Sequence, residues 1–189
     1  MNDGVLLKVE EVTAGYTEPL VGPLSLTLKS GEVVGIRGPN GSGKSTFLAS
    51  LVGASRVFSG RIDKRPDLRI VFMRQKPLPV KGIPFCASEL LALTGASAEG
   101  LPSRYAPQLG ERLDALSGGQ LQFFTLWPCL NTHADVVLLD EPTNNLDAES
   151  IAELARLLCR KRDEGRGVFV VSHDERFIDA VCDRTVNFE

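Results

Sequence analysis

Gly38-Pro39-Asn40-Gly41-Ser42-Gly43-Lys44-Ser45 carries the spacing G-x-x-x-x-G-K-S, which lets a backbone close around an anion. Glycines at 38, 41 and 43 reach dihedrals that other residues resist and leave the amide N–H groups uncovered. The apolar run Val33-Val34-Gly35-Ile36 before the loop predicts a buried strand. Thr46-Phe47-Leu48-Ala49-Ser50-Leu51 after it predicts the first turns of a helix. Phosphates would then sit at a helix N-terminus, where free N–H groups and the helix dipole favour negative charge. In that geometry Lys44 reaches the β- and γ-phosphates of a nucleotide, and Ser45 offers its hydroxyl to Mg²⁺.

Other groups could join that chemistry. The run Val136-Val137-Leu138-Leu139 ends in Asp140 and Glu141. A carboxylate at a strand tip suits Mg²⁺, which assigns Asp140 to the metal opposite Ser45. Glu141, one residue on, projects differently and could polarise a water for in-line attack on a γ-phosphate; a plain acidic pair at a turn before Pro142 is the other reading. Leu116-Ser117-Gly118-Gly119-Gln120 opens a helical segment. Ser117 resembles an N-cap, and the glycines expose N–H groups, so this is either a second anion site or simply a capped helix start. If the two helix ends cannot face each other within one subunit, a second subunit must complete the site. His173, at the tip of Val168-Phe169-Val170-Val171, could donate to a γ-phosphate oxygen or relay a proton, although a lone surface histidine is the commoner case. Gln75 could touch Mg²⁺ or the attacking water. Tyr16 could stack on adenine, and is otherwise half-buried core.

The elements that must position these groups alternate between strand and helix. Leu6–Val9, Leu24–Leu28 and Leu68–Met73 read as strands, Ser30-Gly31-Glu32 as a turn, and Ala148–Glu164 as an amphipathic helix with Ile151, Leu154, Ala155 and Leu158 on one face. Val168–Val171 is a continuous apolar strand, as in a parallel sheet covered on both faces. From Lys76 to Gly110 prolines break the pattern, with Ala87–Leu93 as the best helical piece; this is an inserted helical subdomain. Alternation with a phosphate loop predicts an α/β fold with its site at the carboxyl ends of the strands. At 189 residues, 43% hydrophobic and 24% charged, the chain is one soluble globular domain. Net charge is -3, and the longest basic run, Arg160-Lys161-Arg162, is expected on a solvated helix face, so nucleic-acid binding finds little support. The four cysteines, 86, 129, 159 and 182, form no C-x-x-C pair and are expected to be small buried apolar residues in a reducing cytosol. No apolar stretch reaches the ~18 residues of a membrane span, and no secretion signal is visible at the N-terminus.

Taken in order, these elements resemble the ATPase subunits of the ATP-binding cassette superfamily over nearly the whole chain. Tyr16 matches the aromatic A-loop, Gly38–Thr46 the Walker A and Gln75 the Q-loop. Leu116–Gln120 matches the signature, Val136–Glu141 the Walker B, Asn144-Asn145-Leu146-Asp147 the D-loop and His173 the switch histidine. The resemblance implies a P-loop NTPase fold: a mostly parallel central sheet, an N-terminal antiparallel β subdomain and a small helical subdomain. It implies one ATPase domain over 1–189, with 1–75 and 132–189 as the nucleotide-binding core and 76–131 as the helical signature subdomain. ATP and Mg²⁺ are the implied cofactors. A head-to-tail dimer, of this chain or with a similar ATPase subunit, is implied to sandwich ATP between one Walker A and the partner copy's Ser117 and Gly119, with Glu141 as general base.

The sequence departs from the family pattern where Phe123 and Trp127-Pro128 replace the usual Arg and Ala-Arg of the helix after the signature. Pro128 lacks an N–H and clashes with the carbonyl of Phe124, costing ~3 kcal/mol or more in a helix interior, so a kink or early end is expected there. The segment between Gln75 and the signature is short, and no regulatory tail is expected after the switch histidine. The first functional reading is the energy-supplying subunit of a transporter. It would be cytoplasmic, held on the inner face of the membrane only through separate transmembrane permease subunits. Residues 79–84 followed by Glu89-Leu90-Leu91 resemble the region after the Q-loop in metal-ion importers. The alternative is a soluble ATP-driven switch, because Asp140–Asp147 and Ser172–Phe177 resemble ribosome-associated cassettes, although those usually carry two cassettes in one chain. Intact Lys44, Asp140, Glu141 and His173 argue against a third reading, a degenerate nucleotide-binding module.

Overall fold

The computed structural model describes residues 4–76, 80, 82 and 84–188. Five strands form the central sheet in the order β5 (Ile70–Met73), β6 (Val136–Asp140), β7 (Gly167–Val171), β3 (Val33–Arg37), β8 (Arg184–Asn187). Every neighbouring pair in it is parallel. A second, antiparallel sheet is built from β2 (Pro19–Lys29), β1 (Val5–Gly15) and β4 (Arg56–Lys64). The helices are α1 (Lys44–Leu51), α2 (Ala87–Thr94), α3 (Gly118–Asn131), α4 (Ala148–Asp163) and α5 (Glu175–Val181), with a 3-10 segment over Ser103–Gly110.

The two-residue period of the strands explains the layering. Val137, Leu139, Val168 and Val170 turn to one face of the central sheet and join side chains of α2, α3, α4 and α5. Their neighbours Val136, Leu138, Phe169 and Val171 turn to the other and join α1 and the antiparallel sheet. Strands covered on both faces have no polar side to show, hence the uninterrupted apolar runs. Phe47 of α1 meets Phe169 edge-on at 6.0 Å and Phe188 at 5.5 Å, which fixes the helix that follows the phosphate loop.

Three expectations need correction. The helix after the signature does not end at Pro128; α3 runs through it to Asn131. Phe123, Phe124, Leu126, Trp127 and Leu130 of this helix are fully buried. Each such side chain contributes about 1.5–3 kcal/mol, which together outweighs the proline's local cost. The indole N–H of Trp127 donates to the Ser97 carbonyl at 2.8 Å and the Asn131 amide to the Trp127 carbonyl at 3.1 Å, holding the turns on either side. Lys161 does not lie on a solvated face: it is buried, its ammonium 3.1 Å from Glu164, and burial pushes its pKa down. Among the cysteines only Cys129 is buried, with burial raising its thiol to about 11; Cys86, Cys159 and Cys182 are partly exposed, and all are free thiols. Residues 77–79, 81 and 83, which carry part of the importer-like segment, lie outside the described residues. Among the described residues no helix is long and apolar enough to cross a membrane.

Candidate functional site

The carboxyl ends of β3, β5, β6 and β7 open into a cavity of about 320 Å³. Asn40, Gly41, Gly43, Lys44, Ser45 and Thr46 line one side of it, and Gln75, Asp140, Glu141 and His173 the other. Motif residues up to 133 positions apart in sequence, Asn40 to His173, therefore meet around one space. A second space of about 420 Å³ adjoins it, bounded by Gly38, Pro39, Asn40 and again His173.

The start of α1 is suited to an anion for a definable reason. Helix α1 has no side-chain cap and no acidic residue in its first turn. By contrast α3, α4 and α5 are capped by Ser117, Asp147 and Asp174. The unshared N–H groups at the start of α1 thus remain for a ligand. Gly43, at the N-cap, holds φ +86, and a Cβ there would lie 2.5 Å from Val21, so no side chain is admissible. Lys44 is 8% exposed and donates to the carbonyls of Gly38 at 2.8 Å and Pro39 at 2.6 Å. An ammonium has three N–H donors, so it braces the loop with two and keeps one for an anion. The Ser42 hydroxyl is buried without a partner.

Asp140 is 2% exposed, and its Oδ1 has no hydrogen-bond partner. Burial raises its pKa, offset by the Ser45 hydroxyl, the Gln75 backbone and the charges of Lys44 and Arg74. A buried, unpartnered carboxylate oxygen beside a serine hydroxyl is a hard oxygen donor set that fits Mg²⁺. Glu141 sits at φ +54, a left-handed conformation uncommon outside glycine, held by its N–H donating to the Val171 carbonyl at 2.9 Å. That turn brings its carboxylate to His173. Oε1 is 3.2 Å from Nε2 of His173, and Oε2 accepts the His173 N–H at 3.3 Å. Burial raises the Glu141 pKa, and the His173 charge opposes it.

Not every expected residue lines this cavity. Ser117, Gly118, Gly119 and Gln120 do not. Ser117 caps α3, its hydroxyl accepting the Gln120 N–H at 3.2 Å, while the Gln120 side chain accepts the Ser117 N–H at 2.8 Å. A Cβ at Gly119 would lie 2.6 Å from the Asn145 carbonyl, so this turn packs on the Asn144–Asp147 loop as only glycine can. Tyr16 is 54% exposed and outside the lining; Leu20 lines the cavity instead, a residue with no chemical signature in the sequence. Sequence reasoning also missed two supports of the Glu141 turn. The buried Gln122 amide donates to the carbonyls of Glu141 and Pro142, both at 3.4 Å. Thr143 and Ser172 share a buried hydroxyl bond of 2.8 Å.

A phosphate loop on a parallel sheet, with a strand-end aspartate and a glutamate–histidine pair facing it, defines a P-loop nucleotide triphosphatase. The sequence matches the family described as ABC transporter over residues 21–144, and the chain belongs to that family. Among its relatives, the zinc import ATP-binding protein ZnuC of Cereibacter sphaeroides is 37% identical over 177 residues, 89% of this chain and 72% of that protein. The ZnuC of Paracoccus denitrificans is 34% identical, covering 93% of this chain and 72% of its own length. A solved ATP-binding subunit of an ABC transporter superimposes with a TM-score of 0.83 at 21% identity, over 97% of this chain and 86% of that one. An archaeal ribosome recycling factor, solved with a ribosomal stalk protein, gives 0.83 at 29% identity over all of this chain and 38% of the other. The chain is an ATP-binding, ATP-hydrolysing subunit of an ABC transporter.

Proposed function

We propose that this chain holds Mg-ATP in its own phosphate loop, that a second copy or a similar ATPase subunit closes the site, and that closure powers zinc import through separate membrane permease subunits. The observation that carries the composite site is that Ser117–Gln120, which the family resemblance assigns to ATP contact, lie exposed or half-exposed outside the cavity lined by Lys44 and Ser45. Residues that contact ATP without lining this chain's own cavity must do so on a second copy. Within each site, Gly38–Thr46 cradle the phosphates, and Ser45, Asp140 and Gln75 are the proposed metal contacts. If these residues hold Mg²⁺, its charge would offset that of the β- and γ-phosphates. Glu141 takes the proton of the attacking water; a carboxylate raised by burial is better matched to that task near neutral pH. His173 Nε2 orients the carboxylate and faces the γ-phosphate position. Tyr16, exposed in the turn just after β1, is the proposed stacking partner of adenine. The division into a core of 1–75 and 132–189 and a signature subdomain of 76–131 belongs to the same proposal.

Zinc is supported by the relatives named as zinc import proteins. An apolar cavity of about 400 Å³ beside Gln75, lined by Phe72, Met73, Leu90 and Pro128, offers the permease a seat. The chain would then lie on the cytoplasmic face of the membrane through that partner. Lys44→Ala introduced in the source cell should abolish uptake of radioactive zinc. Unchanged uptake would overturn the assignment. A second reading, a ribosome-associated switch, is favoured by the likeness to the recycling factor. It would require ATP-dependent co-sedimentation with ribosomes and no effect on zinc.

A further inference from the structure

We propose that Arg104 is a positioning residue of the composite ATP site: it locks the Asn144–Asp147 loop to the signature end of α3, so that one subunit presents a wall of fixed shape to its twin. The proposal rests on the two-copy reading above.

Arg104 lies in the 3-10 segment, 43 positions from Asp147. Its guanidinium donates to both carboxylate oxygens, Nη2 to Oδ2 at 2.6 Å and Nη1 to Oδ1 at 3.3 Å, and also reaches Glu149 at 3.0 Å. Asp147 is already engaged: its Oδ1 accepts the Ser150 N–H at 2.8 Å and caps α4. Arg104, ahead of Ser150, holds the Asp147 carboxyl well below the usual carboxylate range. The next residue, Tyr105, is buried, with its hydroxyl 2.6 Å from Ser150 Oγ. Its ring lies flat on Phe123 of α3, centroids 3.8 Å apart and planes within 9°. Phe123 thus gives the signature helix an aromatic handle on the segment that grips the loop.

The loop is held at its other end too, where Gly119 packs on the Asn145 carbonyl. Asn145 sits at φ +62, a left-handed conformation that asparagine tolerates, as the turn requires. The network leaves Ser117, Gly118, Asn144 and Asn145 exposed on one face, and none of its members lines the phosphate-loop cavity. Its effect therefore falls on the wall offered outward rather than on the nucleotide held inside. An exposed ion pair adds little to folding. A bidentate fork fixes direction, which lysine, as a point charge, does not.

The test uses the full chain carrying Glu141→Gln, with Mg-ATP, followed by analytical ultracentrifugation. Arg104→Ala should weaken the ATP-dependent dimer on the order of ten-fold, since two clamps are lost at about three-fold each. Arg104→Lys should recover only part of this, and ATP affinity of the monomer should stay unchanged. In a chain that keeps its native Glu141, Arg104→Ala should lower turnover at low protein concentration, and the loss should vanish as concentration rises, which a merely structural defect would not allow. Asp147→Ser keeps a helix cap but removes the fork; it should reproduce the Arg104→Ala effect, and the double variant should add nothing. If the parent dimerises and Arg104→Ala dimerises equally well, or if the two substitutions prove additive, the positioning role is overturned and the two-copy reading stands. If the parent itself stays monomeric, the two-copy reading falls and takes this role with it.

Discussion

Replacing Asp140 by asparagine should stabilise the protein in the absence of metal while disabling it. The carboxylate is 2% exposed with one oxygen unpartnered, and burial raises its pKa above the ordinary value of 3.8. A carboxylate whose folded pKa lies above its unfolded one penalises the native state when ionised. The penalty is fully present above the folded pKa and vanishes below the unfolded one, where both states are protonated. Asparagine has the same shape, so no cavity forms, and Lys44 keeps its two carbonyl partners. An unmade buried hydrogen bond costs about 1–3 kcal/mol, and the neutral amide retains part of that cost, which leaves a gain of about 1 kcal/mol. For a chain of this size that is a rise in Tm of about 2–4 °C. Thermal melts with a metal chelator at pH 8 should show it, and the gain should shrink as pH falls through the acid range in which the folded carboxyl takes up its proton, vanishing below 3.8. With Mg²⁺ and a non-hydrolysable nucleotide at about 100 times its Kd the order should reverse, because the wild type gains about 2.7 kcal/mol from a ligand the variant holds poorly. A variant that melts below the wild type at pH 8 without metal, or a gain independent of pH, would refute the reasoning.

Two further outcomes are expected. Lys44→Ala should weaken ATP binding by tenfold or more, because a charge-assisted contact to phosphate and the bracing of the Gly38 and Pro39 carbonyls go together; calorimetry showing unchanged affinity would contradict the cradle. Trp127→Ala should destabilise the fold by about 3–5 kcal/mol, since it empties a fully buried site and frees the Ser97 carbonyl; a loss under 1 kcal/mol in urea unfolding would show that α3 does not depend on this anchor to run through Pro128.

The phosphate loop and its strand–helix frame were legible because the physics there is local. Glycine spacing, an apolar run and a lysine at the helix start act on their own neighbours. The buried strands β3, β6 and β7 were equally legible, since burial on both faces leaves only apolar residues. The edge strands β4 and β8 escaped notice: Arg56–Lys64 and Arg184–Asn187 are largely exposed, and their residues carry no apolar run. Pro128 misled because local propensity was set against a helix whose buried aromatics decide the outcome. Lys161 misled because a basic triplet says nothing about which member faces inward. The Gln122 and Arg104 contacts span 19 and 43 positions and depend on how the helical segment folds back, which no local pattern encodes. The Leu20 lining likewise depends on how the β1–β2 hairpin leans over the loop.

Sedimentation of the Glu141→Gln protein with Mg-ATP addresses the account most directly, because the base is removed while the seats for the nucleotide remain. Turnover should fall by 10²–10⁴-fold, and the chain should shift from monomer to a stable dimer holding ATP at both interfaces. A protein that binds ATP tightly yet stays monomeric at every concentration tried, or one that keeps wild-type turnover, would contradict the claim that one copy supplies the cradle and the other its lid.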